Sequence, residues 1–553
     1  MLTRRKATYR PLRKTKSGAV ADSFLHALEL PTAWANQHAW RILDTDWQDG
    51  ARFLACQDAW QRDPNRPRML HYVAVLETPC AGFCAGLSPG FHRLSFNAGQ
   101  VLLTLCLGDL KHMLREQDFR ADSIVMNLEK HPAWDDWSLQ ALLRCCRRGT
   151  AFALSQCSPR DSERLTQHGL EIQASNAGSV RHARFNPHWQ LQSTRRPLKF
   201  KTVGRSNCVV IGAGLAGAST AISLARRGWQ VQVLDAAPLP AHAASSLPVG
   251  LMAAPSGGNS DTRARMLKSG MGYTLQEARL NLECGQDWAP SGTTTVQSGK
   301  SALWESTAAW IKPHRLVQAW LAHPGIEFRG NARVASMQQL DDTWILQDAR
   351  NAVLAQASLV VLACAGGVQA LSAELGHQLR QPLEGIHGQV SWAFQSESTR
   401  PQSDQSTLPP FPLNGYGHLV PNVPLDAGPA WFAGATYAKG DEVPTAWQGH
   451  QSNLSRLAQL HPPSAKIMAQ RMADGSINAW QGQRFTPRDR LPLVGLLNAS
   501  DALSKPPAIF INTGFGSRGL SWCVLCAELL AAQIGDEPLP VPQRWARLLR
   551  ASP

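Results

Sequence analysis

Short apolar runs of strand length alternate with stretches of helical spacing along most of this chain. In the front third, His71 to Leu76, Val101 to Leu105 and Ser123 to Met126 are such runs, while Ala51 to Trp60 and Ser138 to Cys146 carry apolar residues at helical intervals. Buried strands interleaved with helices predict an α/β domain with a mostly parallel sheet. Residues 186 to 205 break the pattern with prolines and basic residues, and a basic linker is predicted at 191–205. Strand-like runs resume at Val209 to Ile211, Val231 to Asp235, Leu359 to Ala363 and Ala508 to Asn512, with helical spacing at Ala218 to Arg227 and Leu520 to Ile534. Residues 385 to 485, rich in Trp, Pro and Tyr, interrupt this second set and predict a separate sheet. The expected domains are therefore 1–190 and 206–553.

The first strand of the second set runs straight into Gly212-Ala213-Gly214-Leu215-Ala216-Gly217 and a helix, and the next strand ends on Asp235. Each residue type has a physical reason in a dinucleotide cradle. Gly212 permits the tight turn, Gly214 lets backbone N–H groups approach a pyrophosphate, Gly217 lets helix and strand pack closely, and Asp235 stands where a ribose hydroxyl is held. A glycine turn alone is weak, but strand, glycines, helix, strand and acid in register point to a dinucleotide.

With 553 residues, the chain is too long for one core. It has no apolar stretch long enough to span a bilayer, and no apolar core of a secretory signal follows the basic run Arg4, Arg5, Lys6, Arg10, Arg13, Lys14 and Lys16. A cytoplasmic protein is expected, with a basic organellar presequence as the alternative. The 12 cysteines show no paired metal-ligand spacing, so reduced thiols and no metal are expected. Cys523 and Cys526 form a CxxC inside a predicted helix, where buried core thiols are expected rather than a redox pair. The net charge of +14 favours a polyanionic partner, because Arg181, Arg184, Arg195, Arg196, Lys199, Lys201 and Arg205 cluster without carboxylates. The alternative is a solvated basic surface.

Three further segments extend the cradle. Val360 to Ala363 is a buried strand breaking at Cys364-Ala365-Gly366-Gly367, Arg484 stands five residues ahead of Asp489, and Thr513-Gly514-Phe515-Gly516-Ser517-Arg518-Gly519 opens a helix whose N–H groups can meet the flavin end of a dinucleotide. Together these resemble an FAD oxidoreductase of the D-amino-acid and glycine oxidase type. The cradle, Ala243 to Leu251 with Ser245, Gly388-Gln389-Val390-Ser391-Trp392, Asp489 to Gly495 and Gly516 to Leu520 resemble, more narrowly, the C-terminal domain of the bifunctional tRNA 5-methylaminomethyl-2-thiouridine biosynthesis family. Trp60 to Pro64, Leu70 to Val75, Pro89 to Leu94 and Leu107-Gly108-Asp109 resemble landmarks of that family's methyltransferase domain.

The resemblance implies an N-terminal Rossmann-like methyltransferase fold followed by an FAD-binding Rossmann domain, with an inserted mixed-sheet substrate domain at about 385–485 lying over the cofactor. It implies removal of a carboxymethyl group, as glyoxylate, from the carboxymethylaminomethyl wobble uridine of tRNA. Such a group is an N-substituted glycine, so the protein must hold a carboxylate and orient a methylene. Arg484 is the first choice for the carboxylate, through a guanidinium fork, with an ion pair to Asp489 as its alternative role. Arg518 is the second choice, and Tyr437 and Tyr416 are candidate phenolic donors, each with an aromatic core position as the alternative. Lys312 is a candidate neighbour of the flavin ring or a solvated lysine. Gly366, Gly514, Gly516, Ser517 and Gly519 join the FAD set.

The front half departs from its family. The expected Glu-x-Gly-x-Gly-x-Gly turn reads Asp44-Thr45-Asp46-Trp47-Gln48-Asp49-Gly50, which retains only Gly50. A catalytic segment expected as Asp-Gly-Phe-Ala-Pro reads Asn127-Leu128-Glu129-Lys130-His131-Pro132. Side chains and added negative charge at the S-adenosylmethionine carboxylate predict that methyl transfer is lost or nearly lost, with Glu77 and Asp109 as candidate ribose and adenine contacts. Two other readings are an FAD-dependent oxidase of free glycine or sarcosine, and a non-enzymatic RNA-binding scaffold. The intact cradle argues against the scaffold.

Overall fold

The computed structural model describes residues 17–79, 82–129, 134–173, 180–191, 207–255, 261–296, 302–395, 408–440, 443–497 and 508–552. The basic run at the front, most of the basic linker, and Lys130, His131 and Pro132 lie outside the described residues. Two compact units are present, Met1–Thr194 with Asp536–Gln543, and Arg195–Gly535 with Arg544–Pro553.

The first unit is built on β1 (Ala39–Asp44), β2 (Met69–Leu76), β3 (Gly90–Phe96), β4 (Val101–Leu107), β5 (Ser123–Asn127), β6 (Ala151–Ser155), β7 (Leu170–Ile172) and β8 (Val180–Phe185). They form one sheet in the order β3-β4-β2-β1-β5-β6-β8-β7. Strands β4, β2, β1, β5 and β6 are parallel, as the buried apolar runs predict. β3 and β8 run antiparallel to their neighbours. Alternate residues feed two cores, Leu43, Val73 and Val75 into one and Ile42, Tyr72 and Ala74 into the other, so both faces are covered. Strand order reverses at β1, which places a crevice beyond the carboxyl ends of β1 and β5.

Residues Asp536–Gln543 belong to this unit, and nothing in the sequence pattern signals it. Arg93 Nη2 donates to the Pro538 carbonyl at 2.6 Å, Gln543 N–H donates to the Glu116 carbonyl at 2.9 Å, and the buried Glu537 lies 3.5 Å from His71 Nε2.

In the second unit the first sheet has the strand order Ile326–Arg329, Gln230–Leu234, Asn207–Ile211, Leu359–Leu362, Ala508–Thr513 and Leu493–Leu496. All are parallel except the last. The buried helix Gly519–Gly535 carries Cys523 and Cys526, and burial pushes the Cys523 thiol up to about 12 and the Cys526 thiol well above its ordinary value. Both are core thiols, as the apolar helix predicts.

A second sheet combines Leu303–Glu305, Thr293–Thr295, Leu413–Gly415, Gly417–Leu425, Gly428–Gly434 and Leu383–Phe394, with Asn478–Pro487 also paired to Leu383–Phe394. It is mixed, because Thr293–Thr295 and Leu413–Gly415 run parallel while the other pairs are antiparallel. It recruits strands well ahead of residue 385. The helix Ala446–Leu460, closed by a capping box from Thr445 and Gln448, is tied to it by Asn453 Nδ2 donating to the Gln389 carbonyl at 3.1 Å. Among the described residues no helix is long and apolar enough to cross a membrane.

Candidate active site

The glycine turn sits beyond the carboxyl end of Asn207–Ile211, where the order of the first sheet reverses. Gly212 has φ of 109°, and a Cβ on it would lie 2.6 Å from the Ala363 carbonyl oxygen. A Cβ on Gly217 would lie 1.7 Å from the Gly212 carbonyl oxygen. Only glycine permits this approach of helix to strand. Asp235 accepts from Ala213 N–H at 2.6 Å and from Ala237 N–H at 2.8 Å, which fixes its carboxylate while leaving lone pairs for a ribose hydroxyl. Ser245 Oγ accepts from Leu215 N–H at 3.0 Å, and its own proton stays available to an anion at the helix N-terminus.

A cavity of about 1460 Å³ starts from this cradle. That exceeds the usual volume of a site for one small molecule and leaves room for a dinucleotide and a substrate together. Its wall includes Gly212, Gly214, Asp235 and Ser245 from the cradle and Gly514, Gly516, Ser517, Arg518 and Gly519 from the C-terminal segment. From the second sheet it includes Tyr416, His418, Tyr437, Arg456 and Arg484. The residues present fit FAD. Gly217 and Gly366 act one layer behind the wall: Gly366 lies under Phe485, whose ring a Cβ would meet at 2.3 Å. Lys312 is likewise absent from the wall, to which its neighbour Pro313 contributes, and burial lowers its pKa.

Arg484 lies on Asn478–Pro487 opposite Ile386, and its Nε and Nη2 are buried without a hydrogen-bond partner. Asp489 does not pair with it. That carboxylate accepts from Arg380 Nη1 at 2.7 Å and Gln381 Nε2 at 3.1 Å. The guanidinium instead lies 5.2 Å from the Tyr437 ring centroid, while Arg456 lies 5.9 Å from the same ring. It passes over Gly388, where a Cβ would meet Nη2 at 1.6 Å. Burying two guanidinium nitrogens without partners is costly, so an anion delivered to this point gains from both. Arg518 donates from Nη1 to the Ala253 carbonyl at 3.1 Å. Burial, with Arg484 and Arg518 nearby, lowers His418 to about 4, so at neutral pH it is an uncharged imidazole.

The corresponding crevice of the first unit is filled. Arg52 is buried, and its Nε donates to Asp44 Oδ2 at 3.2 Å and its Nη2 to Asp46 Oδ2 at 3.1 Å. Tyr72 donates its hydroxyl to Asp44 Oδ2 at 2.6 Å. Trp47 packs edge-on against Tyr72 and Phe83, with ring centroids 6.4 Å and 6.2 Å away. Glu77 is exposed, and Asp109 caps a helix by accepting from His112 N–H at 2.8 Å. A carboxylate already held by an arginine and a tyrosine, beneath a tryptophan, does not fit S-adenosylmethionine.

The family model described as FAD dependent oxidoreductase matches residues 207–301 and 275–533. Over the whole chain, similarity extends to the tRNA 5-methylaminomethyl-2-thiouridine biosynthesis bifunctional protein MnmC of Albidiferax ferrireducens, 42% identical over 96% of this chain and 95% of that relative. The chain belongs to the MnmC family. Its namesake from Polaromonas sp. (strain JS666) is 38% identical over 97% of this chain and 95% of its own length. Glycine oxidase from Geobacillus kaustophilus is a similar solved structure, at 17% identity and TM-score 0.48, covering 60% of this chain and 95% of that one.

Against that family setting, the sequence led to Arg484, Arg518, Tyr416 and Tyr437, and all four line one cavity. It missed Gly388, His418 and Arg456. Gly388 belongs to a motif that was legible, but its purpose depends on a cross-strand neighbour 96 positions away. His418 and Arg456 carry no local signal at all.

Proposed function

We propose that this chain is an FAD-dependent oxidoreductase that acts on tRNA in the cytoplasm. It removes the carboxymethyl group from 5-carboxymethylaminomethyl-(2-thio)uridine at the wobble position and leaves the aminomethyl form. The observation that carries this reading is the half-buried Arg484, whose buried Nε and Nη2 have no hydrogen-bond partner, in a cavity shared with the dinucleotide cradle. Membership of the MnmC family, whose named relatives make a modified thiouridine of tRNA, supports the nucleoside.

FAD, held by Gly212, Gly214, Gly217, Asp235 and Ser245 and, toward the isoalloxazine, by Gly366, Gly514, Gly516, Ser517 and Gly519, would supply a two-electron acceptor. Arg484 binds the glycyl carboxylate through its fork, Tyr437 donates a phenolic hydrogen bond beside it, and Arg518 adds positive charge. The N–CH₂ bond is oxidised to C=N. Water adds there, the C–N bond breaks, and glyoxylate leaves with the aldehyde oxygen that water provided.

The domains then run as methyltransferase-like over 1–190, joined by Asp536–Gln543, linker over 191–205 and oxidoreductase over the rest of 206–553. The front domain has lost, or nearly lost, methyl transfer, a reading supported by Asp44 and Asp46 being paired with the buried Arg52 at the turn after β1. Incubating the full chain with FAD and carboxymethylaminomethyl-bearing tRNA tests both statements. Nucleoside mass spectrometry should find aminomethyl-uridine and equimolar glyoxylate, and added S-adenosylmethionine should yield no methylaminomethyl-uridine. Peroxide from free glycine with untouched tRNA would make it a small-amine oxidase instead.

A further inference from the structure

Large aromatic side chains left half in water forgo much of their burial energy, and clusters of them on a surface mark binding sites. Trp304 and Phe411 are each 48% exposed and meet edge-to-face with ring centroids 4.9 Å apart. Trp304 is seated on Gly292, where a Cβ would intrude to 2.3 Å from the ring. A glycine floor of this kind holds the indole flat while keeping its outer face free.

Strand register ties the pair to the cavity. Trp304 lies opposite Thr294, which lies opposite Leu413, and Thr295 lies opposite Asn414. Two strand spacings amount to roughly 10 Å. Thr295, Asn414, Gly415 and Tyr416 all line the cavity, and Tyr416, 44% exposed, stands at the apex of the hairpin between Gly415 and Gly417. The pair thus lies beside strands whose next residues line the cavity, Val296 and Gly415 on the same face as Trp304, and Thr295, Asn414 and Tyr416 on the other. Four arginines, Arg333, Arg456, Arg484 and Arg518, line that cavity against two acids, Asp235 and Glu374.

We propose that Trp304, Phe411 and Tyr416 form a rim on which unpaired bases of an RNA loop stack while one nucleoside enters the cavity. The inference rests on the RNA substrate proposed above and adds where the flanking bases go. A base that enters a pocket leaves its stack, which exposes the faces of its neighbours. Aromatic platforms beside a cationic groove recover that stacking and suit single-stranded nucleic acid.

The test uses the full chain, a synthetic RNA stem-loop with an unpaired, uridine-containing loop, and a blunt RNA duplex of the same composition. Fluorescence titration should show Trp304→Ala and Phe411→Ala each weakening stem-loop binding roughly tenfold. Duplex binding and flavin content should stay at wild-type values. Trp304→Phe should recover most of the affinity, and Leu303→Ser, an exposed apolar neighbour, should change nothing. Phe411→Ala keeps the test open if Trp304→Ala fails to fold. Wild-type binding that neither alanine variant weakens overturns the rim and leaves the tRNA reading standing. A wild-type chain that binds no RNA overturns both. A dimer that either variant converts to monomer in sedimentation overturns the rim by making it a contact between copies.

Discussion

Behind Ile211 the chain turns through Gly212 and Gly214 into a large cavity, whereas behind Asp44 it turns through Asp46, Trp47 and Gln48 into its own side chains. Both turns follow the central strand of a parallel sheet at the point where strand order reverses. The backbone plan therefore fixes only where a cofactor could lie. Whether one fits is decided by a handful of side chains. At one turn, absent Cβ atoms bring helix and strand together and keep N–H groups open; at the other, a guanidinium and two carboxylates neutralise each other in the same kind of place.

The sharpest way to break the contrast is to give the open turn a methyl group. Gly217→Ala puts a carbon against the Gly212 carbonyl, so the purified variant should lack flavin absorbance and all tRNA turnover. On the filled side, Arg52→Leu strands two buried carboxylates and should cost about 3–5 kcal/mol of stability in the first unit. Urea unfolding followed by tryptophan fluorescence would show it, and adding Asp46→Asn should restore part of the loss. A cavity built to hold a carboxylate also makes Arg484→Ala costly, with kcat/KM falling on the order of 100-fold while bound flavin stays constant. Arg484→Lys keeps the charge, loses the fork and should recover only part.

The smallest effect concerns His418. Its folded pKa, about 4, lies below the ordinary histidine value, so the unfolded chain binds the extra proton first. Its contribution is complete above about pH 6.5 and is lost as pH falls toward 4, by roughly 2 kcal/mol between pH 7 and pH 5. Thermal unfolding of His418→Asn across that range should show a shallower loss than wild type.

The sequence exposed what is local. The glycine turn, the acid closing the second strand and the apolar runs of a covered sheet are each contiguous, and each appeared where expected. Arg484 could be found from its spacing to Asp489, yet its alternative partner could not be dismissed until Asp489 was seen holding Arg380. The use of Gly388 as a bed for that guanidinium, and the neutrality of His418, depend on registers between distant strands. The missing glycines of the front turn were legible because they are local, whereas Arg52 as the partner of Asp44 and Asp46 was not.

Glu537 and Pro538 close over His71 and Arg93, yet they are translated more than four hundred residues later. The first unit cannot finish its core while the ribosome is still making the second. Cleaving the gene near residue 194 would release a front fragment that carries an uncovered arginine and histidine and lacks its last eight native residues. A separately supplied peptide spanning those residues should solubilise it.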